Sequence, residues 1–476
     1  MTAAPASRHL RGFVLLAGSQ VLARVMTVLT LSAVARALGV ETFGAIGFAS
    51  AVVTYFMLAV DAGIDLVGMQ HVARGDRVEG DVASLFLSRL VLAAMSMGLL
   101  CAAAPILVPD RTWLPIVLAQ GLSMFSFAGN VKWAMQALER NGPVAASFLV
   151  TQGLYLLGVL ALVHGPGDAE RVPLLFFASD LAGAAVVGIC YLRTGRRLLA
   201  PRSIAISRSL LREALPLAGT RALRAVTINA DLLLLGLFGT PLAIGLYTAV
   251  TRVILALREL GDLYYVPLFP ELSRAARESG ERFAAVAASG LRTAALFVFP
   301  VAVIGWLRGG DVLALLFGET YRPAALAFAL SLSSIVLVLL TGAYRLGLVA
   351  FERHRTLLFI TLAGAVVNVA SNAALIPRYS IVGGAVSALV AELLTVVLCA
   401  VALRASVVVL PFAPIARAGI SAAGMGVLIW LLPRLPFPVT AAIGVLCYGL
   451  LALATGALQP AELARIARDT AGAEAR

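Results

Sequence analysis

The stretch RGFVLLAGSQVLARVMTVLTLSAVARALGVETFGAIGFASAVVTYFMLAVDAGIDL (Arg11–Leu66) decides the fold. It holds two apolar runs joined by a short polar corner, and each run supplies the about 20 residues that one bilayer crossing needs. Arg24 stands in the middle of the first run and Asp61 lies inside the second. An ionised group at a helix centre costs about 2.5–3.5 kcal/mol on insertion scales, so such groups face a partner or an internal cavity.

The pattern of this stretch continues over the whole chain. Of its 476 residues 61% are hydrophobic and 13% charged, against about 45–50% and about 25% in soluble domains. An excess of that size cannot be hidden inside a water-soluble globule. Spanning runs lie near 11–35, 43–67, 82–105, 112–136, 143–163, 172–193, 209–238, 242–266, 283–306, 323–350, 356–376, 380–403, 414–432 and 437–457. Asp311–Tyr321, DVLALLFGETY, reads as a half-buried segment separate from the tenth run. The expected fold is an all-α polytopic membrane protein with about fourteen transmembrane helices.

The net charge of +12 comes from 36 arginines and one lysine, Lys132, against 25 acidic residues. These cations gather in alternate short loops: Arg74 and Arg77, Arg193, Arg196 and Arg197, Arg353 and Arg355, Arg465 and Arg468. That alternation is a positive-inside signature, which places both termini in the cytoplasm and argues against nucleic acid as a partner. Arg24 also interrupts the first run, which reads as a retained helix and not a cleaved signal. Cys101, Cys190, Cys399 and Cys447 lie far apart in apolar runs, so neither a disulfide nor a metal site is expected. No motif for metal-assisted hydrolysis, phosphate cradling or a nucleophile elbow stands in a credible context, so no catalytic residue, enzyme activity or cofactor is expected.

The opening text returns once. LAGSQVLARV (Leu16–Val25) falls on LAGTRALRAV (Leu217–Val226) when moved 201 positions; Gly44 then falls on Gly245 and Asp61 on Asp262. KWAMQALER (Lys132–Arg140) matches RLGLVAFER (Arg345–Arg353) at 213, and Asp180 matches Glu392 at 212. Six helices are thus followed by six that resemble them, which divides the chain into lobes at 1–203 and 204–404 and leaves two extra helices and a tail in 405–476. Six spans per half make the repeats parallel, with a cavity expected between the lobes near mid-membrane.

Arg24, Arg221, Arg224 and Arg252 fall in the first two helices of each half and are the candidate substrate-binding cations. Guanidinium groups match phosphate oxygens with two hydrogen bonds each. The competing reading pairs them with interior carboxylates such as Asp231, Glu259 and Asp262. Asp61 and Asp65 share one face of helix 2 at i, i+4, and Arg252, Glu259 and Asp262 form a stripe on helix 8. Membrane carboxylates of this kind relay protons or bind Na⁺, so Asp61, Asp65, Asp231, Glu259 and Asp262 are candidates for ion coupling or for structural pairing. Lys132 and Arg345 sit near the cytoplasmic ends of their helices, where they either snorkel to water or serve substrate entry.

Three segments carry a family resemblance. ARALGVETFGAIGFASAVVTYFMLAVDAGIDLVGMQHVAR (Ala35–Arg74) resembles the N-terminal signature of bacterial polysaccharide-biosynthesis membrane proteins, the Wzx-type O-antigen and exopolysaccharide flippases. LFPELSR (Leu268–Arg274) and LFGETYRPA (Leu316–Ala324) resemble two further landmarks of that family. The resemblance implies a MATE-like fold, shared with drug exporters and lipid II flippases, in the bacterial inner membrane. It also implies an activity: transfer of an undecaprenyl-pyrophosphate-linked oligosaccharide to the periplasmic leaflet by alternating access through a cationic cavity. Membrane lipids, H⁺ or Na⁺, and polysaccharide polymerases or glycosyltransferases are the partners it suggests. The rivals are a lipid II flippase, an ion-coupled multidrug antiporter and, from another class, a membrane glycosyltransferase or polymerase. The last needs catalytic acids facing a sizeable extracytoplasmic domain, whereas the loops here are short.

Overall fold

A computed structural model describes residues 5–61, 63–74, 78–198, 229–404 and 413–458. Among them there is no strand. The chain divides into two compact units, Met1–Thr248 and Ala249–Arg476. That division falls inside a helix, and the boundary expected at 203/204 lies outside the described residues.

In the first unit α1 (Pro5–Leu38) and α2 (Val40–Asp61) are followed by a separate α3 (Ile64–Arg74) and by α4 (Val78–Leu107). The fourth run is built from three pieces, α5 (Leu114–Gly121), α6 (Ser123–Gly129) and α7 (Lys132–Ala137). Then come α8 (Asn141–Leu162), α9 (Arg171–Leu192) and a short α10 (Asn229–Phe238). Helix α11 (Pro241–Glu278) crosses into the second unit, which continues with α12 (Gly280–Phe317), α13 (Ala325–Ala350), α14 (His354–Leu403), α15 (Ala413–Leu431) and α16 (Phe437–Ala454).

Eleven described helical segments are long and apolar enough to cross a membrane, and two shorter apolar helices join them. Helix α14 has 50 residues and turns at Ser380 (φ 50°, ψ −130°), which divides it into the eleventh and twelfth expected runs. Each of the fourteen runs therefore meets a described helix, the seventh only through its end in α10. The segment expected to stand apart at Asp311–Tyr321 is the continuation of α12 beyond a kink at Arg308 (φ −131°, ψ 24°), followed by a 3₁₀ turn at Glu319–Ala324. Large apolar side chains such as Phe297, Trp430 and Leu450 are at least 70% exposed, as a lipid-facing surface requires.

The duplication is visible atom by atom. Helices α7 and α13 both end with a glutamate in the left-handed region, Glu139 (φ 56°) and Glu352 (φ 59°). The Arg140 amide then donates to Met135 O (2.9 Å) and the Arg353 amide to Leu348 O (2.7 Å), the 6→1 bond of a Schellman cap in each half. The buried clusters also correspond: Val82, Leu85, Met135, Val187 and Tyr191 in one unit, Phe283, Val286, Leu348, Cys399 and Leu403 in the other. At the crossing of α8 and α9, Gly183 lies against Thr151; at the matching place in α14, Gly364 lies against Thr395. The partners have exchanged places between the halves. The repeat-equivalent Gly44 and Gly245 touch each other, and a Cβ on Gly44 would lie 2.6 Å from the Gly245 nitrogen. The two last helices dock on α12 through Ala422, Met425, Ile429 and Tyr448.

Candidate functional site

The first unit brings Arg89, Asp65 and Lys132 together where two of its helices are interrupted. The second run stops at Asp61 and restarts at Ile64, with Gly63 in the left-handed region (φ 75°) between them. The fourth run breaks at Asn130, which is extended (φ −86°, ψ 119°). Between the two breaks lies Arg89 of α4, whose side chain is 1% exposed. Its Nη1 donates to Asp65 Oδ1 at 2.8 Å and to the Asn130 carbonyl at 3.3 Å. Its guanidinium carbon stands 4.4 Å from the centre of the Phe127 ring. Each element of the cluster has a local cause. A break frees backbone carbonyls, which cannot be left bare in a membrane interior; Arg89 supplies the donor. Asp65 stands in the first turn of α3, where a carboxylate also meets the positive end of the helix dipole.

Lys132 opens α7 just after the break. Its backbone N–H donates to Asn130 Oδ1 (3.1 Å), and its ammonium lies 4.7 Å from the centre of the Phe148 ring. Asp180 of α9 and Asp65 are the carboxylates that act on it electrostatically. The second unit repeats this pair in another form: Arg345 of α13 donates to Glu392 of α14, with the two side chains 31% and 11% exposed. Arg345 is thus paired with the repeat-equivalent carboxylate Glu392, and Asp180, at the matching position of the first half, acts on Lys132 electrostatically.

Asp231 of α10 is buried, accepting the Tyr247 hydroxyl at 2.7 Å and the Leu232 amide at 2.8 Å. A phenol and a backbone amide thus hold it, where the sequence suggests an arginine. Arg24 is exposed on α1. Arg252 and Glu259 are both half-buried on α11, and their seven-residue spacing on one continuous helix puts them on one face. Arg221 and Arg224 lie outside the described residues, as does the side chain of Asp262. One expectation is corrected: Asp61 and Asp65 do not share a face of one helix, because α2 ends at Asp61 and the chain turns through Gly63 before α3 begins. Arg89 is absent from the sequence-derived candidates, although it stands inside the apolar run SLFLSRLVLAAM and so required a partner at depth.

Three solved structures share the fold along nearly their whole length. A lipid II flippase, MurJ in an inward closed conformation, has a TM-score of 0.76 at 11% identity, covering 92% of this chain and 98% of its own. An inward-facing MATE-family multidrug resistance transporter has a TM-score of 0.63 at 14% identity, covering 83% and 98%. The MATE multidrug transporter DinF-BH has a TM-score of 0.61 at 15% identity, covering 85% and 96%. A search of curated proteins found no match. The family model described as polysaccharide biosynthesis protein matches residues 9–276, more than half of the chain. The chain is therefore a multi-pass membrane protein with a MATE-like transporter fold, and it belongs to the polysaccharide biosynthesis protein family.

Proposed function

We propose that the protein is a flippase for undecaprenyl-pyrophosphate-linked oligosaccharide units in the synthesis of O-antigen, capsule or exopolysaccharide. The observation that carries this reading is the coincidence of a polysaccharide biosynthesis family match over residues 9–276 with the fold of lipid and drug transporters. Its setting is the inner membrane with both termini cytoplasmic, and the head group moves to the periplasmic leaflet by alternating access. Arg24, Arg221, Arg224 and Arg252 meet the pyrophosphate, while the polyprenyl chain stays in lipid. The lobes run over 1–203 and 204–404, with the helices of 405–476 as an addition to the second.

Asp65 bonds Arg89 and Asp231 accepts from Tyr247, which supports structural pairing for both; together with Asp61, Glu259 and Asp262 they are the carboxylates proposed for coupling to H⁺ or Na⁺ or for structural pairing. Arg345, paired with Glu392, and Lys132, which Asp180 and Asp65 act on electrostatically, serve the lobes' internal structure before any role in substrate entry. The assay deletes the chromosomal copy and supplies Arg24→Ala, Arg224→Ala or Arg252→Ala at equal membrane level. Export of surface polysaccharide is expected to fall for each, and full export by all three refutes the cationic pathway. A lipid II flippase is the second reading, favoured by the TM-score of 0.76 to such a protein. Rescue of cells depleted of their own lipid II flippase would establish it in place of the first.

A further inference from the structure

We infer that α3 and α7 form one movable block in the first unit, hinged at the two helix breaks and latched by Arg89. Three observations converge on this. First, the breaks are neighbours in space although they are far apart in sequence. One side-chain nitrogen, Arg89 Nη1, bonds the first turn of α3 through Asp65 and the broken backbone before α7 through Asn130 O. Second, the segments beyond the breaks are joined to each other. Gly68 of α3 lies flat on the Trp133 ring of α7, so closely that a Cβ there would stand 2.5 Å from a ring carbon. Ile64, Val67, Val72, Val131, Trp133 and Met135 share one buried cluster, which also takes in Val82 and Leu85 of α4 and Val187 and Tyr191 of α9. Third, the second unit is built without such a joint at the matching described residues. Helices α11 and α13, the repeat counterparts, run unbroken through those positions, and Ala343 stands in mid-helix where Asn130 makes the break.

A helix interrupted at membrane depth is a place where two segments can change their angle without losing the hydrogen bonds of either. Two interruptions side by side, with a rigid contact on the far side of both, define a hinge axis and not two independent kinks. Arg89 spans that axis. With its bonds to Asp65 and Asn130 made, the block is tied to α4 by polar bonds; once either opens, apolar packing against α4 and α9 is what resists its tilt. Lys132, at the first residue of the block, is within electrostatic reach of both Asp65 and Asp180, so a cation remains near Asp65 when the latch opens. The block lies at the end of the unit expected to face the cytoplasm. Resting on the flippase reading, its motion opens and closes the path by which a lipid-linked head group enters.

The test joins hydrogen exchange of the purified full-length protein with polysaccharide export in cells lacking the chromosomal copy. Arg89→Met is expected to raise amide exchange at least tenfold in residues 61–67 and 127–134 together, leaving α8, α13 and α14 unchanged, and to lower export at least tenfold at equal membrane level. A response in only one of the two segments, in neither, or across the whole unit overturns the hinge. Faster exchange in both segments with full export overturns the gating role. Asp65→Asn keeps the shape of the site while it weakens the latch; it gives the same readout should Arg89→Met fail to accumulate. If the unaltered protein does not restore export, the flippase reading fails, and the exchange result still decides whether the block exists.

Discussion

Gly183→Ala tests the packing that sets the angle between α8 and α9. A Cβ at Gly183 would lie 2.0 Å from Thr151 Oγ1 and 3.0 Å from the Ser147 carbonyl oxygen. Ordinary contacts of this kind begin near 3.4 Å, so the hydroxyl would have to retreat by about 1.4 Å or the helices would have to part. Retreat is obstructed because Thr151 is itself buried at 5% exposure. Overpacking of that order costs about 1–3 kcal/mol. The double variant Thr151→Gly, Gly183→Ala removes the main obstacle and leaves only the 3.0 Å approach to the Ser147 carbonyl. It should recover most of the loss, and the two changes should couple by about 1–2 kcal/mol in a double-mutant cycle. The second unit offers the mirror experiment: a Cβ at Gly364 would meet Thr395 Oγ1 at 2.6 Å, an oxygen held in place by its bond to Ala391 O at 2.9 Å. Thermal unfolding of the detergent-solubilised protein, read by intrinsic fluorescence, supplies the midpoints. An unchanged midpoint for Gly183→Ala refutes the clash, and a double variant as unstable as the single refutes the pairing.

Three further outcomes are expected. Arg345→Met alone leaves Glu392 with no cation opposite it at 11% exposure and should cost about 3 kcal/mol, most of which Arg345→Met with Glu392→Leu recovers; thermal midpoints of the three variants decide it. Glu352→Gly relieves a left-handed glutamate (φ 59°) and should raise stability by about 1 kcal/mol, whereas Glu352→Val should lower it, both read from the same midpoints. In the α8–α9 loop, the His164 amide bonds Asp168 Oδ2 at 2.9 Å, and this hydrogen bond holds the Asp168 carboxyl below its usual range, with Arg171 adding to the effect. A carboxyl so lowered contributes to loop stability above its unfolded pKa, and the contribution is lost as pH falls through the folded value. Protection of the His164 amide should therefore fall on acidification in the native protein but show no such step in Asp168→Asn.

Much of the architecture was legible because its signals are long and repeated. Fourteen apolar runs and the offset between KWAMQALER and RLGLVAFER point to a duplicated helical membrane protein, and the matched Schellman caps at Glu139 and Glu352 are that duplication in atoms. Interruptions within runs were not legible. Gly63 and Asn130, where the breaks fall, have no proline beside them in sequence, and their apolar surroundings read as uninterrupted helix. The pairing of charges was half legible: Lys132 with Arg345 and Asp180 with Glu392 were visible as repeat positions, but that Arg345 bonds Glu392 depends on which faces of two helices meet. Arg89 escaped for a related reason. Its partners are an aspartate 24 positions away and a carbonyl 41 positions away, and neither distance has a sequence signature.

The difference between the halves has a physical basis in how each satisfies its backbone. A break in a membrane helix survives only where donors meet the carbonyls it frees. In the first unit the Asn130 side chain accepts the Lys132 amide, and Arg89 donates to the Asn130 carbonyl, so the gap is closed from both sides. At the matching place in the second unit stands Ala343, which has no side-chain acceptor and is 0% exposed within continuous α13. There the cation at the position of Lys132 is Arg345, and its longer guanidinium reaches Glu392 directly without any interruption of the helix. The same repeated pattern thus takes two forms: a continuous helix with a direct ion pair, and a broken helix whose loose ends are gathered by a buried arginine. The first arrangement keeps the i→i−4 ladder through this position, and the second replaces it with side-chain bonds. An Asn130→Ala substitution, which removes the acceptor for Lys132 and restores the residue found in the second half, should therefore favour continuous helix through 127–134. Slower amide exchange across that segment would confirm this account, and faster exchange would show that Asn130 stabilises the break by some other means.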